Sequence, residues 1–196
     1  MTPAEQLLAD QKAFFEAGST TMPDARLAAL YCLNDTIENS RPMLQMLLRA
    51  DGLGEEAVSG EIGAAQAALA EWQKSLLRLL RSGWKKEEGG KPAPCGTVLL
   101  LGGKGASFGR TLCALSAAIA AGNTAILSLE AGAPATADCI RSILGETFEP
   151  EYIAVCDEAA AELSALPFDK TFDAGAAENA AFAGHNGLRL FSRFDG

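Results

Sequence analysis

Between Pro94 and Asn123 the chain reads PCGTVLLLGGKGASFGRTLCALSAAIAAGN, and this succession leaves few folds open. Thr97 to Leu101 is a short unbroken apolar run between Gly96 and Gly102, the pattern of a strand buried on both faces of a parallel sheet. Glycines at 102, 103, 105 and 109 then mark a loop. From Arg110 to Ala121, Leu112, Leu115, Ala118 and Ile119 recur at helical spacing until Gly122-Asn123 stops the helix. A second apolar run, Thr124 to Leu129, ends on Glu130, 25 positions after Gly105. In a dinucleotide-binding fold an acid near that distance meets the ribose hydroxyls.

The rhythm continues downstream. Ala133 to Leu144 reads as a helix, Tyr152 to Val155 as a strand, Asp157 to Leu166 as a helix and Lys170 to Asp173 as a strand. A short helix over Glu178 to Ala183 and a last strand over Leu188 to Ser192 complete the series. Short strands alternating with helices predict an α/β fold, a Rossmann-like doubly wound parallel sheet of about five strands. Ligands of such sheets sit at the carboxyl ends of the strands. Gly102 to Gly109, Ser128 to Ala131 and Asp173 to Ala176 fall on that edge.

The first eighty residues are helical by pattern. Thr2 caps an amphipathic segment to about Ala17. Pro23 opens a second helix to about Arg49, with Leu27, Leu30, Tyr31, Ile37, Leu44 and Leu48 on one face. A third runs from about Glu55 to Arg81, and its stripe of Leu69, Trp72, Leu76, Leu79 and Leu80 suits a core contact. The alternative is a surface for a second copy or a protein partner, because unpaired apolar area of a few hundred Å² recruits one. Trp84 to Ala93, WKKEEGGKPA, reads as a solvated linker. The expected organisation is a helical segment over 1–84 packing on the sheet, a linker over 85–93 and an α/β core over 94–196.

The spacing Gly103-x-Gly105-x-x-x-Gly109 is one residue longer than G-x-G-x-x-G. Two roles are open for it. The glycines serve a sharp turn between strand and helix, or the loop leaves a helix amino terminus free for a phosphate. The candidate cofactor-binding positions are Gly102, Gly103, Gly105, Ser128, Glu130, Gly175 and Ala176, and the cofactor they would take is NAD or NADP.

At 196 residues and 48% hydrophobic the chain has material for one sizeable core. Sixteen basic against 25 acidic residues give a net charge of −9, which disfavours nucleic acid and anionic membranes as partners. The first ten residues are polar and helix-like, without a signal pattern, and no apolar run reaches the roughly 20 residues of a membrane span. A cytoplasmic location is expected. Cysteines 32, 95, 113, 139 and 156 are odd in number and lack C-x-x-C spacing, so reduced, mostly packed thiols are expected, with neither disulfide framework nor zinc site. His185, the single histidine, sits in the turn-like Gly184-His185-Asn186-Gly187 and reads as solvated.

Pro94-x-Gly96-x-Val98, Ala118 to Thr124 (AIAAGNT) and Pro134-Ala135-Thr136-Ala137 together resemble the cofactor-domain core of the aldehyde dehydrogenase superfamily. Phe14-Phe15-x-x-Gly18, Arg26-Leu27 and Ser59-Gly60-Glu61-Ile62-Gly63 resemble the FF-x-SG, RL and SEIG landmarks of its class 3 and fatty-aldehyde branch. The resemblance covers about residues 8 to 196, and it implies a scaffold whose chemical positions have changed. The family's PWNYP turn falls on Gly103 to Ser107, with Gly105 at its oxyanion asparagine. Its KPSE motif falls on Ser128 to Ala131, with Ser128 at the ribose-binding lysine and Ala131 at the glutamate; Glu130 is one place early. Its FTGS turn corresponds to Asp173-Ala174-Gly175-Ala176, where the serine hydroxyl is gone and Asp173 adds a negative charge. Leu188 to Gly196 resembles its VTLELGG strand, with Arg193 at the general-base glutamate.

The same resemblance places the nucleophilic cysteine in a second domain downstream, and none of the five cysteines aligns with it. It also implies that the long excursion used for subunit assembly is replaced by the short linker. The expectation is an aldehyde-dehydrogenase-like protein without catalytic residues of its own, acting as a binding or assembly module. The alternative is an NAD(P)-binding domain or subunit of an aldehyde oxidoreductase.

Overall fold

The structure, a computed structural model, describes residues 1–82, 92–102, 107–129, 132–175 and 190–194. Strands β2 (Thr97–Leu101), β3 (Thr124–Ser128), β4 (Ile153–Val155) and β5 (Lys170–Asp173) form a parallel sheet in the order β4-β3-β2-β5. In register, Leu99 faces Ile126 on one side and Thr171 on the other. Strand residues alternate between two apolar layers, as the two-residue period requires. Val98, Leu100, Ala125 and Leu127 join a large core with α5 (Phe108–Ala121) and α6 (Pro134–Thr147). Leu99 and Ile126 point the other way, onto Ala4 and Leu8 of α1 (Pro3–Glu16) and Leu163 of α7 (Ala160–Ser164). The sheet is therefore covered on both faces, as the continuous apolar runs predict.

The amino-terminal helices form a further layer. Helices α2 (Pro23–Asn39), α3 (Arg41–Ala50) and α4 (Glu55–Ser82) pack outside α5 and α6. Leu69, Trp72 and Leu76 of the α4 stripe are buried, and Leu80 stands exposed. The capping box that begins α1 is complete: Thr2 Oγ1 accepts from Glu5 N and the Glu5 carboxylate accepts from Thr2 N.

Three expectations are corrected. The single helix from Pro23 to Arg49 is broken at Ser40, because Pro42 in the first turn of α3 has no N–H to continue the earlier helix. The helix expected over Asp157 to Leu166 is only the five residues of α7. The described part of the expected last strand, Leu190 to Ser192, does not join the parallel sheet. Phe191 is instead buried with its ring centroid 5.3 Å from that of Phe172. Ser192–Phe194 (β6) then pairs antiparallel with Pro92–Pro94 (β1), so Pro92 and Ala93 of the expected linker are in a strand. Prolines at both ends of β1 lack ladder donors and suit a two-stranded edge ribbon. The short helix expected at Glu178 to Ala183, most of the linker and His185 lie outside the described residues.

Two polar side chains tie these layers together. Asn123 Oδ1 accepts from Gly96 N at 3.0 Å, while its Nδ2 donates to Ala118 O at 3.1 Å and Phe191 O at 2.9 Å. Arg26, buried between α2 and the carboxyl end of α5, donates to the carbonyls of Thr20 (2.7 Å), Thr21 (2.8 Å) and Ala120 (3.4 Å). Gly122 caps α5 at φ +93°, where a Cβ would lie 2.5 Å from the guanidinium carbon of Arg26. Only glycine combines that left-handed backbone with the close approach.

Candidate functional site

The carboxyl edge of the sheet gathers three of the expected cofactor positions. Gly102 N donates to Ser128 O at 2.7 Å, and Ala174 N donates to Leu101 O at 2.8 Å. Gly102, Ser128 and Gly175 thus end three adjacent strands, β2, β3 and β5. Asp173 Oδ1 accepts from Gly175 N at 2.8 Å, folding its carboxylate over the turn. Arg110, in the first turn of α5, reaches across to Gly175 O at 3.2 Å. Gly103, Gly105, Glu130 and Ala176, together with Ala131, lie outside the described residues.

A free helix amino terminus is the feature that would let this edge hold a phosphate. Helix α5 begins at this edge, and its first turn already has partners. Ser107 is its N-cap and accepts from Arg110 N at 3.3 Å, while the Glu61 carboxylate of α4 accepts from Gly109 N at 2.7 Å. The chain thereby supplies its own anion where the helix dipole attracts one. Gly109 owes its place to this same contact: a Cβ there would lie 2.7 Å from Glu61 O and 3.2 Å from Ala64 Cβ. The last glycine of the motif serves the crossing of α4 over α5.

Helix α6 is capped in the same way from the helical segment. Asp51, between α3 and α4, accepts from Ala135 N (3.1 Å), Thr136 N (2.6 Å) and Thr136 Oγ1 (2.7 Å). Desolvation pushes the Asp51 carboxyl up, and these three donors outweigh it and hold the group below its ordinary range. The sequence reading missed both carboxylates. Glu61 stood out only as part of a landmark, and its neighbours Gly60 and Gly63 give no signal of the contact, since a Cβ at either would meet nothing within 4 Å.

Nucleophilic chemistry finds little support among the described residues. Burial pushes the Cys113 thiol up to about 11 and Cys139 to about 12, and it raises Cys95 as well. These thiols stay protonated at neutral pH and pack as small apolar groups. Three of the five free thiols are buried, in line with the expectation of mostly packed thiols, while Cys156 is partly buried and Cys32 is exposed. Arg193 is exposed, with Nε donating to Pro94 O at 3.3 Å. No group of histidine, cysteine or carboxylate side chains suited to a metal occurs among the described residues. No described helix is long and apolar enough to cross a membrane.

No protein-family model matches the chain. Individual proteins do. A 4,4'-diaponeurosporen-aldehyde dehydrogenase of Staphylococcus aureus is 33% identical over 195 residues, covering 89% of this chain and 41% of the relative. A 4,4'-diapolycopene-4,4'-dial dehydrogenase of Cytobacillus firmus is 30% identical over 178 residues, covering 84% of this chain and 39% of the relative. The solved Staphylococcus aureus AldH superposes with a TM-score of 0.77 at 30% identity, over 88% of this chain and 40% of that one. Over this span the chain belongs to the aldehyde dehydrogenase superfamily. It spans about two fifths of the length of these relatives, and the matching fold is their Rossmann-like amino-terminal domain. An NADP complex of glyceraldehyde-3-phosphate dehydrogenase from Methanocaldococcus jannaschii has the same fold at 11% identity and a TM-score of 0.70.

Within this aldehyde dehydrogenase scaffold the α4–α5 crossing gives a direct test of the Gly109 reading. Gly109→Ala is expected to lower stability by about 1–3 kcal/mol, the usual range for forcing a methyl into a filled contact. The urea midpoint of the variant reads it. An unchanged midpoint would mean that the crossing relaxes freely and that the glycine is there for another reason.

Asp51 adds a pH dependence. A carboxyl whose folded pKa lies below its unfolded value near 3.9 contributes stability above that value and loses it as pH falls through the folded pKa. Asp51→Ala is expected to cost about 1 kcal/mol at pH 7, as helix-cap removals do. Urea midpoints of the two proteins should converge below about pH 4. A gap that persists at pH 2 would show that the loss is packing rather than charge.

Proposed function

We propose that this chain is a non-catalytic aldehyde-dehydrogenase-like module, for binding or assembly, whose sheet edge does not hold a nicotinamide dinucleotide. The contact between Glu61 and Gly109 N carries this reading. A phosphate arriving at the start of α5 would have to displace the partly buried Glu61 carboxylate, and it would meet Asp173 beside Gly175. A phosphate brought close to either carboxylate is repelled by its like charge. The residues matched to the family's chemistry point the same way. Gly105 has no side-chain donor for an oxyanion, a loss that costs about 10²- to 10³-fold in rate where one donor is removed. Ser128 cannot act as a lysine, and Arg193 cannot act as a general base at neutral pH.

Calorimetric titration of the purified chain with NAD⁺ and NADP⁺ is expected to be flat up to about millimolar concentration, four orders weaker in binding constant than a 0.1 μM site. No reduced cofactor should form with short or long aldehydes. Saturable one-to-one heat, or turnover, would overturn the proposal.

One observation favours the alternative of an NAD(P)-binding domain or subunit of an aldehyde oxidoreductase. Gly102, Ser128 and Gly175 do converge on a single edge, and the Methanocaldococcus jannaschii protein with this fold is described as an NADP complex. Under that reading Glu61 swings off Gly109 when the cofactor enters, and Glu61→Gln tightens NAD⁺ binding rather than leaving it undetectable.

A further inference from the structure

A shallow cavity of about 380 Å³ lies on the outer layer, between α2 and α4, and none of its lining residues belongs to the carboxyl edge. Tyr31, Ala70 and Leu77 give it an apolar floor, and Lys74, Arg78 and Arg81 stand around it from successive turns of α4. Gln73 Nε2 donates to Leu30 O at 3.1 Å, fixing the two helices that form its walls. Tyr31, at 42% exposure, is a large apolar side chain left open to water.

The charges are what set this cavity apart. Eight other described cationic side chains each have an internal partner. Lys12, Lys170, Arg26 and Arg193 donate to carbonyls, Arg41, Arg49 and Arg141 pair with carboxylates, and Arg110 reaches Gly175. Among the described residues Lys74, Arg78 and Arg81 have no such partner, and all three line the one groove. In a chain with 25 acidic and 16 basic residues, carboxylates to pair them are plentiful, yet no described carboxylate forms an ion pair with any of the three. Each of the three side chains has instead kept its charge available at a surface that also exposes an aromatic ring.

We infer that this groove docks an acidic, amphipathic helix of a partner protein. Cations at i, i+4 and i+7 run along one face of α4 and match carboxylates spaced in the same way on an antiparallel helix. The apolar floor takes leucine-like side chains from between those carboxylates. An extended polyanion suits the surface less well, because beyond the patch it meets a protein of net charge −9. The inference gives the assembly part of the proposed function a surface, and it rests on residues that a cofactor titration does not touch. A positive NAD⁺ result would leave it standing, and its own failure would leave the reading of the carboxyl edge standing.

The test uses the full chain and a fluorescein-labelled amphipathic peptide of about 15 residues, long enough to form helix on a surface, with glutamates at the complementary spacing and leucines beside them. Fluorescence anisotropy at about 0.05 M salt, where surface charge is least screened, should show saturable binding at micromolar concentration. The triple variant K74E/R78E/R81E changes only exposed side chains and should keep the parent's circular dichroism and melting curve. It should bind the acidic peptide at least about tenfold more weakly and bind a lysine version of the peptide in its place. Absence of saturable binding, equal binding by the triple variant, or tighter binding of a DNA hairpin of equal charge would overturn the inference. So would a dimer in sedimentation that the triple variant abolishes, since a second copy would then own the groove.

Discussion

Asn123→Ala is expected to destabilise the protein by about 3–5 kcal/mol, a large fraction of the 5–15 kcal/mol that holds a domain together. The side chain is fully buried and makes three hydrogen bonds. Alanine leaves Gly96 N and the carbonyl of Phe191 without their partner in the core. Each stranded buried polar group costs about 1–3 kcal/mol. Ala118 O loses less, since Asn123 N also donates to it at 3.1 Å. The loss should be cooperative, because Gly96 leads into β2, Ala118 lies in the last turn of α5, and Phe191 precedes β6. Urea unfolding followed by tryptophan fluorescence measures it, with Trp72 inside the core as a reporter. A cost under 1 kcal/mol would mean that water replaces the side chain and that β6 is not tied to the sheet through it.

Arg26→Met should cost about as much, roughly 3–5 kcal/mol, although methionine keeps the apolar stem packed. The guanidinium answers three carbonyls, and it sits at the carboxyl end of α5, where a positive charge is favoured by the helix dipole. Burial pulls its pKa below the ordinary value, and Tyr152 nearby acts in the opposite direction. Lysine should not rescue it, because one ammonium cannot fork between Thr20 O and Thr21 O while also reaching Ala120 O. A double variant, Arg26→Met with Gly122→Ala, would separate the terms. Removing the guanidinium removes the 2.5 Å clash at Gly122, leaving only the cost of positive φ for alanine, about 1–2 kcal/mol. Near-native stability of Arg26→Lys would show that charge alone, without the fork, is what the α5 terminus needs.

Much of this architecture was legible in the residues. The unbroken run Thr97 to Leu101 read correctly as a strand buried on both faces, because a two-residue period cannot hide a polar face in TVLLL. Thr2, Pro23 and Gly122-Asn123 marked helix ends through local chemistry that needs no tertiary partner. The break at Ser40 was legible too, in Pro42, but an apolar face that continued through Leu44 and Leu48 masked it. Phe191 and β6 were not legible, since the ribbon with β1 depends on a pairing across about a hundred positions. The site divided along the same line. That Gly102, Ser128 and Gly175 share an edge follows from their places at strand ends. That Glu61 and Asp51 fill the starts of α5 and α6 depends on contacts 48 and 85 positions apart, and nothing local in either acid announces its target.

The partly filled carboxyl edge can be tested at the atoms concerned. In an amide-resolved titration with NAD⁺, the resonances of Gly102, Gly109 and Gly175 should stay in place up to millimolar cofactor, with Gly109 remaining bonded to Glu61. A saturable shift of the Gly109 amide at micromolar NAD⁺ would contradict the central claim and return this edge to the dinucleotide sites.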